Sequence, residues 1–475
     1  MSDKKHNELK RSLQNRHVQM IALGGVIGTG LFYGSTEAIQ LAGPSAILAY
    51  FIGGLIIYFI MRMLGEMSVE EPNSGAFSFF AYKYWGHFAG FVTGWNYWFL
   101  YILVSMTELT VIGFYFDHWI LIDHWKLSVA ILLLITLINL IDVRFFGEVE
   151  FVLSLIKVIA VIGMIVFGIV LILTGINDNQ VGIHNLWAHG GFFPYGAMGV
   201  ILATAVLMFS FGGTELISIA AGETSNPQQT IPTAIRKVMW RTVVFYIGSM
   251  SIIMMLSPWN MIGKNGSPFV TIFESIGIPA AGHILNFIVI MAAISVYNSG
   301  MYSNGRMLYN LALQKNAPQI FSKLNTARVP YIAILFSSAC TAMIIVMNVL
   351  VPGNSFMRIM AITTATAFIT WTIIVIVHLK FRKAHQNKKD SFIYTFYLYP
   401  YANYMCLCFF ALLFCIMFVS GFEKNGLMTQ LFNVIGIRTA YLESYIPIQM
   451  PDMSLAIIII PIWCFLLRVG YKFKR

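Results

Sequence analysis

Charge is what this sequence has least of. Of 475 residues, 11% are charged, against roughly 25% in a soluble domain. Hydrophobic residues make up 58% and aromatics 15%. A water-soluble chain of this length could not hide so much apolar surface, so lipid must be the solvent for much of it. Cysteine is scarce too. The five (Cys340, Cys406, Cys408, Cys415 and Cys464) all lie in apolar runs, and none forms a Cys-x-x-Cys pair, which argues against a disulfide framework or zinc site and for buried thiols. Paired mid-run histidines for haem or metal are missing, and so is a Walker loop, so ATP does not drive this chain directly. No enzyme constellation appears, and no cofactor or metal is expected. There is no Ser/Pro linker and no soluble domain.

About twelve apolar stretches are long enough to cross a bilayer, which takes roughly 20 helical residues. They centre near 18–42, 44–64, 89–116, 127–142, 149–175, 195–221, 241–258, 281–303, 331–351, 356–379, 402–420 and 453–471. Met1–Arg16 is too polar, and the run after it too long, for a cleavable signal peptide, so the first span is expected to remain. A net charge of +10 on a soluble protein would suggest nucleic acid. Here its distribution explains it, and no nucleic-acid partner is expected. With the N-terminus inside and sides alternating, about 24 of the 30 Lys and Arg fall on the cytoplasmic side, the positive-inside bias. It predicts a multi-pass protein of a plasma membrane with both termini cytoplasmic. The expected organisation is a tail over 1–17, five spans over 18–175, five over 195–379, two more over 402–471, and a tail at 472–475. The longest external segment, 421–452, has no assigned role.

The first and sixth spans share an oddity. The first holds Gly24-Gly25-Val26-Ile27-Gly28-Thr29-Gly30, and the sixth Phe209-Ser210-Phe211-Gly212-Gly213-Thr214-Glu215. Glycines and hydroxyls fall mid-span, where lipid offers no hydrogen bonds. Close helix packing is the ordinary use of such glycines. A matched pair five spans apart favours broken helices instead, each opening one half of an inverted repeat. A break exposes N–H groups at one helix end, which attract a carboxylate, and carbonyls at another, which accept from an ammonium. Both together suit a zwitterion. The expected solute is therefore a free amino acid, its carboxylate at Gly28–Gly30 and its ammonium at the carbonyls of Phe209–Gly213. Phe209 and Phe211 flank the second break, where a ring could close over the solute.

Ionisable residues deep in spans are costly and default to functional candidates. In the third span Tyr101, Ser105 and Glu108 recur at i, i+4, i+7, one polar face in an apolar helix. Glu108 there is either functional or a structural carboxyl bonded to a neighbouring helix. Lys157, in the fifth span, is a candidate proton carrier or a fixed ammonium in place of a sodium ion, unless its stem snorkels to the interface. Glu215 follows the second break and could sense protons. Glu223 reads as a gate or a surface charge.

These motifs resemble the amino acid permeases of the amino acid–polyamine–organocation superfamily, specifically its bacterial amino acid transporter family. The likeness is carried by Leu9-Lys10-Arg11, Asn15-Arg16-His17, Ala22 through Phe32, Gly65-Glu66-Met67, Phe146-Gly147-Glu148, Phe209 through Glu215, Asn226-Pro227 with Ile231-Pro232, and Asn298-Ser299 with Arg306-Met307-Leu308. It runs from about residue 8 to 420 and weakens through 421–452. The resemblance implies a proton-coupled bacterial inner-membrane importer with a five-plus-five inverted repeat and two added helices. It also implies that the helix breaks hold the substrate backbone, that Lys157 stands where a sodium ion would, and that Glu215 is proton-responsive. Glu70-Glu71-Pro72, Gly94-Trp95-Asn96-Tyr97-Trp98 and Ser295 through Gly300 look like aromatic amino acid permeases. Thr214 stands where those carriers have an apolar residue, and Ala220-Ala221-Gly222-Glu223 reads more like the proline or histidine carriers.

The expected function is thus proton-coupled import of aromatic amino acids by alternating access. Another neutral amino acid, such as proline, histidine or alanine, is the alternative substrate. A non-transporting amino acid sensor, which would need an output domain, is the alternative from another class. Expected partners are the amino acid, protons and the lipid bilayer; oligomeric state is left open.

Overall fold

The computed structural model describes residues 9–25, 27–32, 34–120, 122–174, 181–262, 279–350, 355–386, 392–420, 462–463 and 466–472. Among them every regular element is helical, and the one extended pairing is an isolated bridge between Leu13 and Thr224. The first span is cut into α1 (Asn15–Gly24), α2 (Thr29–Phe32) and α3 (Ser35–Ala42). Then come α4 (Ala46–Glu70), the short α5 (Ala76–Tyr84), α6 (His87–Phe116), α7 (His124–Ile141) and α8 (Val143–Thr174). The second half runs through α9 (Asn185–Ala188), α10 (Gly196–Leu207), α11 (Leu216–Ala221), α12 (Pro227–Arg241), α13 (Ser249–Leu256), α14 (Pro279–Leu313), α15 (Tyr331–Leu350), α16 (Ser355–Ala384) and α17 (Tyr401–Ser420).

Eight of the described helices are long and apolar enough to cross a membrane, and Val243–Leu256 and Tyr331–Val346 are shorter apolar helices. The difference from twelve comes partly from irregular helices and partly from spans that reach beyond the described residues. The first span is interrupted, and its last piece runs through the turn Gly43–Ser45 into α4. The seventh begins in π-helical turns over Thr242–Gly248. Most of the twelfth, and the whole of 421–452, lie outside the described residues.

Burial follows helical periodicity. From Glu150 onward the buried positions on α8 are Glu150, Ser154, Lys157, Val161, Met164, Gly168 and Leu171, a stripe at three- and four-residue steps. Val152, Ile159, Val166 and Leu173, seven apart on the opposite face, are all exposed. Apolar side chains facing outward this way need lipid as their solvent. α6 and α14 are central: 78% of the apolar window is buried in each, against 28% for α8. α6 packs on α14 and α16, α1 on α8, and α10 on α3 and α4.

Buried charges gather in nodes, as a low-dielectric interior requires. Arg306 donates to Glu223 from Nε at 2.8 Å, with Tyr302 Oη donating to the same oxygen at 3.2 Å. Arg382 meets Glu66 at 2.5 Å, and Glu66 also accepts from the Phe396 N–H at 2.6 Å, which ties the chain between α16 and α17 to α4.

Candidate functional site

The two breaks cross. α1 ends at Gly24, the chain is non-helical through Gly25, Ile27 and Gly28, and helix resumes at Thr29; Val26 lies outside the described residues. In the sixth span α10 tightens into a 3₁₀ turn over Met208–Phe211, Gly212 is extended, and Gly213 takes φ +100° before α11. Glycine is required at Gly213 twice over. Its φ is closed to ordinary side chains, and a Cβ there would run into the backbone of Gly25. Gly30 makes the companion approach: its Cβ would stand 2.7 Å from Ser210 Cα. The breaks are thus pressed together on both sides of the crossing.

Between them lies a small, partly open cavity, about 480 Å³ with the adjoining open space included. Gly25, Gly28 and Gly30 line one wall and Phe209, Ser210, Gly212, Gly213 and Glu215 another. Tyr101 and Glu108 of α6 complete the polar part. Leu100, Val104, Val296 and Ala367 supply an apolar flank, with Thr363 and Thr364 of α16 beside it.

Two carboxylates face this space. Glu108 accepts from Thr29 Oγ1 at 2.9 Å through Oε1, while its buried Oε2 has no partner among the described residues. Glu215 is held by donors alone: Tyr97 Oη at 3.3 Å, Tyr101 Oη at 3.5 Å, the Gly213 N–H at 3.3 Å, Thr214 Oγ1 at 3.4 Å and Trp371 Nε1 at 3.4 Å. It therefore stitches α6 and α16 to the second break.

Not every residue singled out in the sequence reaches the cavity. Ile27 and Thr29 are buried beside the first break and do not line it. Ser105 donates to the Tyr101 carbonyl of its own helix at 2.7 Å. Phe211 turns away to pack on Tyr50 and Tyr246, and Thr214 bonds to the Phe211 carbonyl at 3.2 Å. The carbonyls at the second break already carry donors: Gly212 N–H on Phe209 at 3.2 Å and Tyr246 Oη on Ser210 at 2.5 Å. Each keeps a second lone pair.

Lys157 sits behind the first break, not in the cavity. Its side chain is fully buried, so it does not snorkel. Nζ donates to the Gly24 carbonyl at 2.6 Å and to Ser295 Oγ at 2.8 Å. Gly24 is the last residue of α1, so a cation caps an orphan carbonyl at the negative end of a helix. Glu223 is likewise no surface charge: it is buried in its pair with Arg306. Sequence reasoning missed Glu150, fully buried on the same helical stripe as Lys157, which accepts from Ser154 at 3.1 Å, from Asn298 Nδ2 at 3.1 Å and from Ser295 Oγ. The signal was there, since Glu150, Ser154 and Lys157 recur at i, i+4, i+7. The wall from Val104, Val296 and Ala367 carries no signal that sets it apart from lipid-facing residues. Among the described residues no cluster of His, Cys, Asp and Glu could hold a metal ion.

Known proteins match this sequence along its length. The chain is 44% identical over 477 residues to the aromatic amino acid transport protein AroP of Escherichia coli K12, covering 100% of this chain and 98% of that one. AroP of Salmonella typhi matches at 44% over the same shares, and the uncharacterized amino acid permease YtnA of Bacillus subtilis at 40%, over 99% and 96%. The amino acid permease family model covers residues 17–475. A helical bundle with membrane-length apolar spans, two crossed helix breaks around a small cavity, and this end-to-end likeness agree: the chain is a multi-pass membrane protein and a member of the amino acid permease family.

Proposed function

We propose that this protein is a secondary transporter that imports aromatic amino acids together with protons, by alternating access, across a bacterial inner membrane. The observation that carries the reading is the cavity at the crossing of the breaks, polar where peptide groups and two acids face it and apolar along Leu100, Val104, Val296 and Ala367. A zwitterion with a flat apolar side chain fits that division. The carboxylate lies at Gly28–Gly30, the ammonium at the second-break carbonyls, and the side chain against the apolar flank. The relatives named for aromatic amino acid transport support the solute class.

Glu108 gives a reason for coupling. Its oxygens lie beside Gly28, where a Cβ would stand 3.5 Å from Oε1. An ionised Glu108 would repel a carboxylate bound there, whereas a protonated one can donate to it. Solute and proton then enter together. Lys157, as an ammonium, holds α1 against α8, and Glu215 fixes the second break. The cavity opens to one side of the membrane and then the other, with Glu223 and Arg306 closing its cytoplasmic end.

The test is uptake of labelled phenylalanine in cells expressing the chain, competed by a panel of unlabelled amino acids, with and without a protonophore. Tyrosine and tryptophan should compete, proline, histidine and alanine should not, and the protonophore should collapse accumulation. Competition by proline, histidine or alanine instead would reassign the solute. Accumulation that survives the protonophore would remove proton coupling.

A further inference from the structure

The hydrogen bonds of Lys157 do not end at Ser295. Ser295 Oγ, which receives the Lys157 ammonium at 2.8 Å, itself donates to Glu150 Oε1. The far oxygen of that carboxylate accepts from Asn298 Nδ2 at 3.1 Å, and Asn298 Oδ1 accepts in turn from Asn139 at 2.9 Å. Lysine, serine and glutamate are all fully buried. They bridge α8 and α14 directly behind the first break, and the contact is close enough that a Cβ on Gly24 would strike both Ser154 Oγ and Glu150 Oε1.

A carboxylate so deep needs a reason, because burying one is expensive. The groups around it from every side are few. α1 presents Met20 and Gly24, α14 presents Ser295 and Asn298, and α8 itself presents Ser154 and Lys157. Lys157 is the charged group joined to it through Ser295. Glu150 lies seven residues nearer the start of α8 than Lys157, a rise of about 10 Å along the helix. On the proposed topology that is toward the cytoplasm.

We propose that Glu150 is a positioning and relay acid of the transport cycle, receiving the proton of Lys157 through the Ser295 hydroxyl on the way to the cytoplasm. The ammonium gives one N–H proton to Ser295 Oγ as the proton already on Ser295 passes to Glu150 Oε1. One N–H bond breaks, one O–H bond forms on the carboxyl, and the serine ends with the hydroxyl it began with. A neutral amine and a neutral acid remain. The amine no longer grips the Gly24 carbonyl as a cation, so the first break is released from α8 in the step that moves the proton inward. This assignment rests on the proton-coupled reading above.

The experiment uses the full chain in proteoliposomes with labelled phenylalanine. It compares accumulation driven by an imposed pH gradient with exchange at equal pH. For Glu150→Gln, the ratio of driven accumulation to exchange falls at least tenfold and uptake loses its dependence on external pH, while Glu150→Asp recovers part of both. Ser295→Ala keeps both ionisable groups and removes the hydroxyl between them; it lowers the same ratio, and it decides the matter if Glu150→Gln fails to reach the membrane. A structural role alone would depress accumulation and exchange together. That result, or a wild-type ratio in the variants, overturns the assignment. A wild-type chain that ignores the pH gradient overturns the coupled reading itself, whereas a responsive wild type with unaffected variants overturns only the role of Glu150.

Discussion

Two adjacent glycines at the second break should behave in opposite ways. In Gly213→Ala the new methyl needs φ near +100°, which costs a non-glycine residue about 1–3 kcal/mol. It also collides with the Gly25 carbonyl group. Backbone cannot rotate aside as a side-chain tip can, so overpacking adds roughly 1–3 kcal/mol. The total of about 2–6 kcal/mol approaches the whole stability of many domains. Relief means prising the breaks apart, which spoils the cavity. Gly212→Ala meets only the Phe209 carbonyl oxygen, at 3.4 Å, from φ −55° and ψ 141°. An alanine adopts that backbone freely, and the stiffer unfolded chain should stabilise the fold by about 0.4–1 kcal/mol. The assay is thermal melting of detergent-purified protein without solute, followed by phenylalanine uptake at matched abundance. Gly213→Ala should melt well below wild type and transport poorly, and Gly212→Ala should melt at or above it. Equal melting of the two variants would show that the crossing of the breaks is not as tight as described.

Lys157→Ala removes two charge-assisted hydrogen bonds, each worth about 1.5–3 kcal/mol; gradient-driven accumulation should fall to the level of exchange, read by uptake in vesicles. Arg306→Leu strands Glu223 as an unpaired buried charge and should cost about 3–5 kcal/mol, with melting partly restored by adding Glu223→Gln. Tyr246→Phe deletes the 2.5 Å bond to the Ser210 carbonyl. It should lower stability by only about 0.5–1.5 kcal/mol yet change the Michaelis constant for uptake, because the carbonyl it frees lies at the cavity wall.

The breaks were legible because glycine and hydroxyl residues have no ordinary business in the middle of an apolar run. Their contact was not: that Gly213 meets Gly25 and Gly30 meets Ser210 is a tertiary fact. Helical spacing put Tyr101 and Glu108 on one face, which lines the cavity, but it has nothing to say where the chain is irregular. Phe211 and Thr214 flank an irregular turn to which neither helical nor strand periodicity applies, so their directions could not be read. Ser105 has the right spacing, but a helical serine readily satisfies itself on the carbonyl four residues back. Lys157 stood out as a lone charge. Glu150 did not, although the polar stripe that marks Glu108 on α6 recurs around it on α8.

The segment before the first span is sewn to the end of the sixth. The Leu13 N–H donates to the Glu223 carbonyl at 3.1 Å, and the Ser225 N–H to the Leu13 carbonyl at 3.3 Å, while Arg16 and His17 reach Glu148 on α8. A clasp at that end makes the lower pieces of the two broken spans one lever. Tilting either must drag the other, and shortening the chain past Leu13 should leave them to swing separately.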